Sequence, residues 1–240
     1  MAGTAQIQNL ELVRIAASRL QDRNKNLPGI AVLYGPAGYG KTVAALAVAQ
    51  ENRSHFVQLR SAWTRKTLLE KILEEMSIAP SGTISTMLDQ VCRELAANDR
   101  MLIIDEADHA VRSRSMLELL RDIYEGSQAT LMIIGEEKLP TNLEKHERFH
   151  SRVLTWIPAQ AVSLADAREL TRIYAPEIEV GDCLLKHIVD IAQGSVRRVS
   201  VNLSNVQEVA NQEGWSHVTD ALWATRPLNT GKSPAVRRGK

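Results

Sequence analysis

The sequence predicts an α/β fold, in which a three-layer domain built on a parallel sheet precedes a small α-helical bundle. Short apolar runs rich in β-branched residues alternate with helical patterns as far as Pro158. Runs without polar alternation are typical of strands buried on both faces of a parallel sheet. Beyond Pro158 the apolar runs cease and only helical patterns follow. The 240 residues suffice for one such domain with a smaller appendage.

The elements of the larger domain follow from these patterns. Strands are predicted at 30–34, 56–59, 101–104, 131–134 and 153–157. Helices with apolar residues at three- and four-residue spacing are predicted at 41–51, 66–76, 84–97 and 115–124. An amphipathic helix with the apolar stripe Leu10, Val13, Ala17 and Leu20 precedes the first strand. Strand and helix in turn build a three-layer core, which we expect to span residues 1–158.

The remaining residues predict a helical lid and a tail. Ser163 and Asp166 have capping-box spacing, which begins a helix that ends before Pro176. Further helices are predicted at 181–193, 195–212 and 217–225. We therefore expect a lid over 159–225. Residues 226–240 hold five basic side chains and no acid, so we expect them to be disordered.

The composition limits the functional classes. The 29 Lys and Arg nearly balance the 28 Asp and Glu, so nucleic-acid binding must come from a local patch. Cys92 and Cys183 lack metal-ligand spacing, which excludes a Cys-based zinc module and favours a reducing compartment. No apolar run approaches the length of a membrane span, and the N-terminus does not resemble a secretory signal. We expect a cytoplasmic protein.

The strongest chemical signal follows the first predicted strand. Residues 35–42 match G-x-x-x-x-G-K-[ST] between a strand and a helix. The glycines let backbone N–H groups turn toward phosphates, and the helix N-terminus adds its positive end. Lys41 then reaches the β- and γ-phosphates of ATP, while the Thr42 hydroxyl ligates Mg²⁺. The predicted nucleotide contacts in this region are Gly35, Pro36, Ala37, Gly38, Tyr39, Gly40, Lys41, Thr42 and Val43.

A pair of carboxylates ends the third predicted strand. Asp105 is expected to hold Mg²⁺ together with Thr42, and Glu106 to polarise the water that attacks the γ-phosphate. Ligands of open α/β sheets bind at this edge of the strands. The adjacent glutamate disfavours a small-molecule kinase, which activates a substrate hydroxyl in place of a water. Asp105 to Asp108 spell DEAD, but one phosphate loop in 240 residues cannot supply the two lobes of a DEAD-box helicase.

The order of the motifs resembles that of the AAA+ ATPases. The segments are GPAGYGKT, LIIDEAD, a fourth strand LMIIG, RFHSR and GSVRR. More narrowly, residues 5–225 resemble the transposition ATPases typified by bacteriophage Mu transposition protein B, whose relatives include target-selecting and helicase-loading ATPases. The chain leaves no room for the N-terminal DNA-binding domain of the Mu protein, so we expect that domain to be absent.

The resemblance implies roles for further residues. Arg148 or Arg152 matches the arginine finger, which reaches the γ-phosphate in a neighbouring subunit. Arg197 matches the sensor-2 arginine, and Glu136 stands where a polar sensor-1 residue is common. The resemblance also implies Mg²⁺ and ATP bound between subunits of a homo-oligomer, either a ring or a helical filament.

Residues 146–150 also match the H-E-x-x-H pattern of zinc proteases. Two histidines four residues apart on one helix can share a face and bind a metal. No third ligand is evident in the sequence, and the segment coincides with the arginine-finger region, so a zinc site is disfavoured.

Two basic loops are the predicted DNA contacts. Arg60, Arg65 and Lys66 follow the second strand, whereas Arg112 and Arg114 follow the carboxylate pair. In AAA+ rings or filaments such loops face the central channel, where many subunits multiply a few cations along a duplex. Aromatic residues are only 4%, which favours backbone binding of duplex DNA over base stacking with single strands.

The leading hypothesis is an ATP-dependent AAA+ ATPase that binds double-stranded DNA nonspecifically and oligomerises on it. By resemblance it delivers target DNA to a transposase, in the host cytoplasm if a phage encodes it. One alternative is a helicase loader or replication-initiator-like ATPase. A second alternative is a nucleotide-gated interaction switch with negligible turnover.

Overall fold

The computed structural model describes residues 4–231, which divide into two compact units. The core unit comprises Asn9–Pro36 and Lys41–Ala159. The C-terminal unit comprises, within the described residues, 4–8, Ala37–Gly40 and 160–231. No helix within 4–231 combines the length and apolar character that a membrane crossing needs.

The core unit is built on a five-stranded sheet. Its strands are β1 Ile30–Tyr34, β2 His55–Gln58, β3 Leu102–Asp105, β4 Leu131–Gly135 and β5 Val153–Pro158. They lie in the order β2-β3-β4-β1-β5, and every neighbouring pair is parallel. The predicted α/β class with a parallel sheet is confirmed. Strands β3 and β4 are buried along their whole length, as continuous apolar runs predict.

Successive residues of each apolar strand point to opposite faces of the sheet, so both faces need to be covered by helices. The helices are α1 Gln8–Gln21, α2 Lys41–Glu51, α3 Arg65–Glu75, α4 Ile84–Asn98, α5 Asp108–Val111, α6 Arg114–Ser127, α7 Leu139–Glu144 and α8 Glu147–His150. One hydrophobic cluster joins Ile30 and Val32 to buried residues of α3, α4 and α6. Helix α2 contributes nothing to that cluster and contacts β2 and β3. Threonines cap the N-termini of two helices. The Thr64 hydroxyl accepts a hydrogen bond from the Thr67 N–H, and the Thr83 hydroxyl accepts one from the Thr86 N–H.

The C-terminal unit is mainly helical. It contains α9 Leu164–Tyr174, α10 Asp182–Ala192, α11 Val196–Glu213 and α12 Asp220–Trp223. The predicted capping box is present, because the Asp166 backbone N–H donates to Ser163 Oγ and the Ser163 N–H donates to Asp166 Oδ2.

A short pair of strands corrects the purely helical prediction for this unit. Strands β6 Glu179–Val180 and β7 His217–Val218 pair in parallel, so the helix predicted over 217–225 is wrong at its start. That helix begins instead at Asp220, where the Thr219 hydroxyl caps it. Strands of two residues are too short to leave a periodic pattern in the sequence.

The start of the predicted disordered tail is ordered. The Asn202 side chain binds Asn229 twice: its amide donates to the Asn229 carbonyl oxygen (3.1 Å), and its oxygen accepts from the Asn229 N–H (2.6 Å). Arg226 lies over the Trp215 ring at 4.8 Å and pairs with Glu213. Residues 226–231 are therefore held by their own unit, and the rest of the predicted tail lies outside the described residues.

Candidate functional site

The backbone between β1 and α2 has the conformation that its glycines allow. Gly38 and Gly40 adopt φ values of 85° and 83°, which residues with a side chain rarely reach. Helix α2 begins directly after this turn, at Lys41. The loop therefore combines left-handed turns with a helix N-terminus, as anion binding by backbone N–H groups requires. Val43, on the first turn of α2, is 58% exposed.

The Lys41 side chain folds back over the loop. Its Nζ donates to the carbonyl oxygens of Gly35 (2.7 Å) and Pro36 (2.9 Å). Burial lowers the pKa of Lys41, while four nearby carboxylates act on it in the opposite direction. These carboxylates belong to Asp105, Glu106, Asp108 and Glu136. The ammonium group is thus oriented, half-buried and surrounded by acids, which suits a site for a phosphate that arrives with a divalent cation.

Thr42 and Asp105 meet at the edge of the sheet. The Thr42 hydroxyl donates to Asp105 Oδ2 at 2.8 Å, and Asp105 is only 2% exposed. The Gln58 side-chain amide lies 3.5 Å from the same oxygen. The hydroxyl and carboxylate oxygens are hard donors of the kind that Mg²⁺ takes, so the donor set fits the predicted ion. No group of three or more His, Cys, Asp or Glu residues within 4–231 could hold a metal alone, and Mg²⁺ at phosphate sites needs only one or two protein ligands.

Glu106 has an unusual backbone. Its φ is 56°, a left-handed conformation that is uncommon for a residue with a side chain and concentrates at functional sites. Two hydrogen bonds hold the turn: the Glu106 N–H donates to Asp105 Oδ1 (2.8 Å), and the Ala107 N–H donates to the Ile134 carbonyl oxygen (2.8 Å). The chain therefore turns away from β3 at Glu106, the residue that is expected to polarise the attacking water.

Asp108 is a site residue that the sequence reasoning did not single out. Its Oδ2 accepts a hydrogen bond from the Glu136 backbone N–H at 2.7 Å, and the missing side chain of Gly135 makes room for its carboxylate. The Glu136 side chain itself is exposed. The segment after β3 is thus tied to the segment after β4 through Asp108. Asp108 is the last acid of the DEAD string, but that string does not indicate a contact with the segment after β4.

Within the C-terminal unit, Arg197 lies beside residues 37–40, which are here called the glycine turn. Its backbone N–H donates to the Gly38 carbonyl oxygen at 3.1 Å, and Ser195 Oγ lies 3.5 Å from the same oxygen. The Arg197 side chain is exposed. The Tyr39 ring lies against Gly194, where a larger residue would collide with it.

The two candidate finger arginines differ in their contacts. Arg152 pairs with Glu125, with a distance of 3.1 Å between Nη2 and Oε1. The exposed Arg148 guanidinium makes no hydrogen bond or ion pair with any residue of 4–231. His146 is the N-cap of α8, with φ −119° and ψ 69°, and within 4–231 no third His, Cys, Asp or Glu completes a metal-binding group with His146 and His150.

A family comparison agrees with this geometry. Residues 24–143, half of the 240-residue chain, match the family model described as AAA domain. The chain belongs to the AAA domain family. The match begins before β1 and ends in α7, so it includes the glycine turn, Lys41, Thr42 and the carboxylates that end β3.

The chain is similar to parts of longer proteins. The chain is 31% identical over 171 residues to the replication factor C large subunit of Methanothrix thermoacetophila, covering 69% of this chain and 33% of that protein. It is 29% identical over 142 residues to spastin of Ixodes scapularis, covering 53% of this chain and 20% of that protein. The chain thus spans a third or less of the length of these relatives.

Solved structures share the fold. The structure of Cdc6p from Pyrobaculum aerophilum matches with a TM-score of 0.62 and 20% identity, over 88% of this chain and 63% of that chain. The Orc1 protein of Aeropyrum pernix in complex with DNA matches with a TM-score of 0.62 and 19% identity, over 88% and 61%. At these identities the likeness shows the fold of the AAA domain.

The two basic loops of the AAA domain meet at one concave surface. A pocket of about 270 Å³, here called the basic pocket, is lined by residues of both loops. Its polar lining consists mainly of Arg60, Ser61, Arg65, His109, Ser113 and Ser115. A neighbouring groove of about 900 Å³ contains Arg65 and Arg114. Lys66 pairs with Glu70 at 3.8 Å, and neither Lys66 nor Arg112 lines these two cavities.

Proposed function

We propose that this AAA domain is an Mg²⁺-dependent ATPase that binds duplex DNA and assembles into homo-oligomers when ATP is bound. The observation that carries the proposal is the contact between Thr42 and Asp105 beside Lys41 and Glu106. These four side chains come from the start of α2 and the end of β3.

Each of these residues has a task in hydrolysis. Thr42 and Asp105 hold Mg²⁺, which when bound neutralises charge on the phosphates. Lys41 exchanges its two carbonyl partners for phosphate oxygens, because these carry negative charge. Glu106 orients the attacking water and accepts its proton through a carboxylate oxygen. Asp108 fixes the turn that follows Glu106 by holding the Glu136 backbone N–H.

The arginine finger is Arg148 in this proposal. Its guanidinium has no partner among residues 4–231 and is free to reach the nucleotide of a neighbouring subunit, whereas Arg152 is paired with Glu125. An arginine finger supplied in trans is worth about 10³–10⁵ in rate. An isolated subunit should therefore hydrolyse ATP slowly.

The proposed DNA contacts are the two basic loops, with Arg60 and Arg65 at their centre. Both arginines line the basic pocket, which brings the loops together on one surface of the core unit. Arg112 and Arg114 add exposed charge next to it, while the ion pair with Glu70 weakens the contribution of Lys66.

The named relatives favour a role in DNA replication. Replication factor C and Orc1 in complex with DNA support a replication-initiator-like or helicase-loading ATPase. Delivery of target DNA to a transposase is supported only by the resemblance of the sequence motifs. Affinity capture of the tagged protein in the presence of ATP and DNA separates the two roles, since a replicative helicase is expected among the partners in the first and a transposase in the second.

A titration of ATPase activity against protein concentration tests the shared chemistry. Turnover per subunit should rise with concentration and with added duplex, because both promote contact between Arg148 and the neighbouring site. Negative-stain images of the same samples should contain oligomers when ATP is present. Turnover that is measurable but flat in both titrations would contradict the trans site, and negligible turnover would favour the nucleotide-gated switch.

A further inference from the structure

The basic pocket has the composition of an anion site. None of its lining residues, all of which lie within 4–231, is acidic. The neighbouring groove of about 900 Å³ contains Glu118 and Asp122, and a third cavity of about 560 Å³ along β2 contains Glu74 and Glu75. Of these three cavities, only the basic pocket presents positive and hydroxyl groups without a competing carboxylate.

The cations of the basic pocket are not paired. No carboxylate within residues 4–231 pairs with Arg60 or Arg65, and the Arg60 guanidinium lies 6.0 Å from the centre of the Trp63 ring. In the core unit, Arg14, Arg121 and Arg152 differ in this respect, because they pair with Glu51, Glu118 and Glu125. Two unpaired guanidinium groups on one concave surface leave their hydrogen-bond donors available to a ligand.

The size of the pocket limits the ligand. Its volume of about 270 Å³ lies below the roughly 300–1,000 Å³ of typical small-molecule sites. A phosphate group with a few waters fits this space better than a nucleotide or a base does. The first turns of α3 and α6 border the pocket at Arg65 and Ser115, which adds the positive ends of two helices to the two arginines.

The walls of the pocket are hydrogen-bonded to the backbone of Asp105 and Glu106 in the nucleotide site. The Leu59 N–H donates to the Asp105 carbonyl oxygen at 2.9 Å, and Arg60 is the next residue. On the other wall, the His109 N–H donates to the Glu106 carbonyl oxygen at 3.1 Å. A ligand that binds both walls is therefore attached by short covalent and hydrogen-bonded paths to Asp105 and to the left-handed turn at Glu106.

We infer that the basic pocket binds one phosphate of the DNA backbone, and that DNA stimulates ATP hydrolysis through this contact. The inference rests on the proposed function, because it specifies where the bound duplex acts. Ser61 and His109 become DNA-contacting residues, in addition to the arginines of the two loops. The shared chemistry is that of a phosphate, so the experiment must separate the DNA backbone from free phosphate.

A charge placed in the pocket tests the inference. Ser61→Asp puts a carboxylate on an exposed loop position, and Ser61→Asn is the neutral control of the same size. We expect Ser61→Asp to weaken duplex affinity about tenfold through like-charge repulsion. We also expect the ratio of ATP turnover with and without duplex to fall toward one. Ser61→Asn, which adds the same bulk without the charge, should retain clearly more of both values than Ser61→Asp, and thermal unfolding should confirm that both variants fold.

A salt titration measures the phosphate contact directly. Arg65→Gln should lower the slope of log affinity against log salt by about 0.9, the value for one neutralised phosphate in each subunit. Arg19→Gln removes the same charge from an exposed position of α1 outside the pocket, and it should leave the slope unchanged. Trp63 fluorescence, which is identified by its loss in Trp63→Phe, should change when duplex is added. The same concentration of inorganic phosphate should leave the signal unchanged.

The outcomes distinguish this inference from the proposed function. If Ser61→Asp and Arg65→Gln bind duplex as tightly as their controls, the pocket is not the phosphate site, although duplex binding itself stands. If inorganic phosphate changes the Trp63 signal and duplex does not, the DNA backbone is the wrong source. If the parent protein binds no duplex under any nucleotide condition, both the inference and the proposed DNA-binding function are wrong.

Discussion

The nucleotide site and the basic pocket lie at the same edge of the sheet, yet they satisfy their polar groups in opposite ways. In the nucleotide site, Lys41 binds two carbonyl oxygens, Thr42 binds Asp105, and Asp108 binds a backbone N–H. In the basic pocket, the two arginines have no partner acid within residues 4–231.

This difference indicates two kinds of binding. A site whose groups already hold one another is fixed in geometry before its ligand arrives, which favours chemistry that depends on position. A pocket with unpaired cations gains most of its affinity from charge, so its binding depends strongly on salt and little on sequence. Substitutions at the two sites should therefore differ in the size and the kind of their effects.

The largest effect is expected at Arg148. Arg148→Ala should lower ATP turnover of the assembled protein by about 10³–10⁵, because the finger acts on the transition state of the neighbouring site. Arg152→Ala is the matched control, because the Arg152 guanidinium is already paired with Glu125. Steady-state phosphate release with saturating ATP and duplex gives the measurement. A full loss in Arg152→Ala with normal turnover in Arg148→Ala would assign the finger to Arg152.

Mixing variants separates action in trans from a folding defect. Subunits with Lys41→Ala lack the phosphate contact but carry the finger, and subunits with Arg148→Ala have the reverse defect. Mixed oligomers of the two should recover part of the parent activity. Turnover that stays at the level of either variant alone would show that Arg148 does not act across a subunit boundary.

A smaller loss is expected at Glu106. Glu106→Gln should lower turnover by about 10²–10⁴, the usual contribution of a general base, while ATP binding and assembly remain. Glu137→Gln changes an exposed glutamate outside the site and serves as control. Turnover and binding of a fluorescent ATP analogue should be measured on the same samples. If Glu106→Gln turns over ATP at the parent rate, Glu106 is not the base.

The same contrast explains which features the sequence could predict. The glycine turn, Lys41 and the Asp105–Glu106 pair are set by local spacing, so a pattern in the sequence places them at the end of a strand or the start of a helix. The five core strands were predicted within about one residue for the same reason, because apolar runs report burial directly.

The remaining features depend on contacts between distant segments. Asp108 matters through its bond to Glu136, 28 residues away, and Arg152 differs from Arg148 only because Glu125 lies within reach. The meeting of Arg60 with His109 in one pocket likewise requires the register of β2 on β3. None of these contacts leaves a periodic or spaced signal in the sequence. The strands β6 and β7 were missed because they are too short to leave one.

Salt should affect the two sites differently. Replacing both Arg60 and Arg65 by Gln should reduce the slope of log duplex affinity against log salt by about 0.9, no more than Arg65→Gln alone, since the pocket binds one phosphate in each subunit. The salt dependence of ATP affinity should be the same in this variant and in the parent. Fluorescence anisotropy of a labelled duplex and of a labelled ATP analogue gives both slopes. An equal fall in both would show that the two sites share their charges.

The smallest effect concerns the alkaline stability of the nucleotide-free protein. Burial lowers the pKa of Lys41 below its ordinary value of 10.5 in the folded state, so the unfolded chain binds more protons between the two pKa values. Stability contributed by this group should therefore rise with pH through the folded pKa and level off near 10.5. Lys41→Met, which keeps most of the side chain's length without the charge, should lack this rise. Thermal unfolding from pH 7 to 11 compares the two curves, and their difference isolates Lys41 from other groups that titrate there. Parallel curves would mean that Lys41 is solvated like a surface lysine. The contrast between a preformed nucleotide site and an open basic pocket would then lose its central residue.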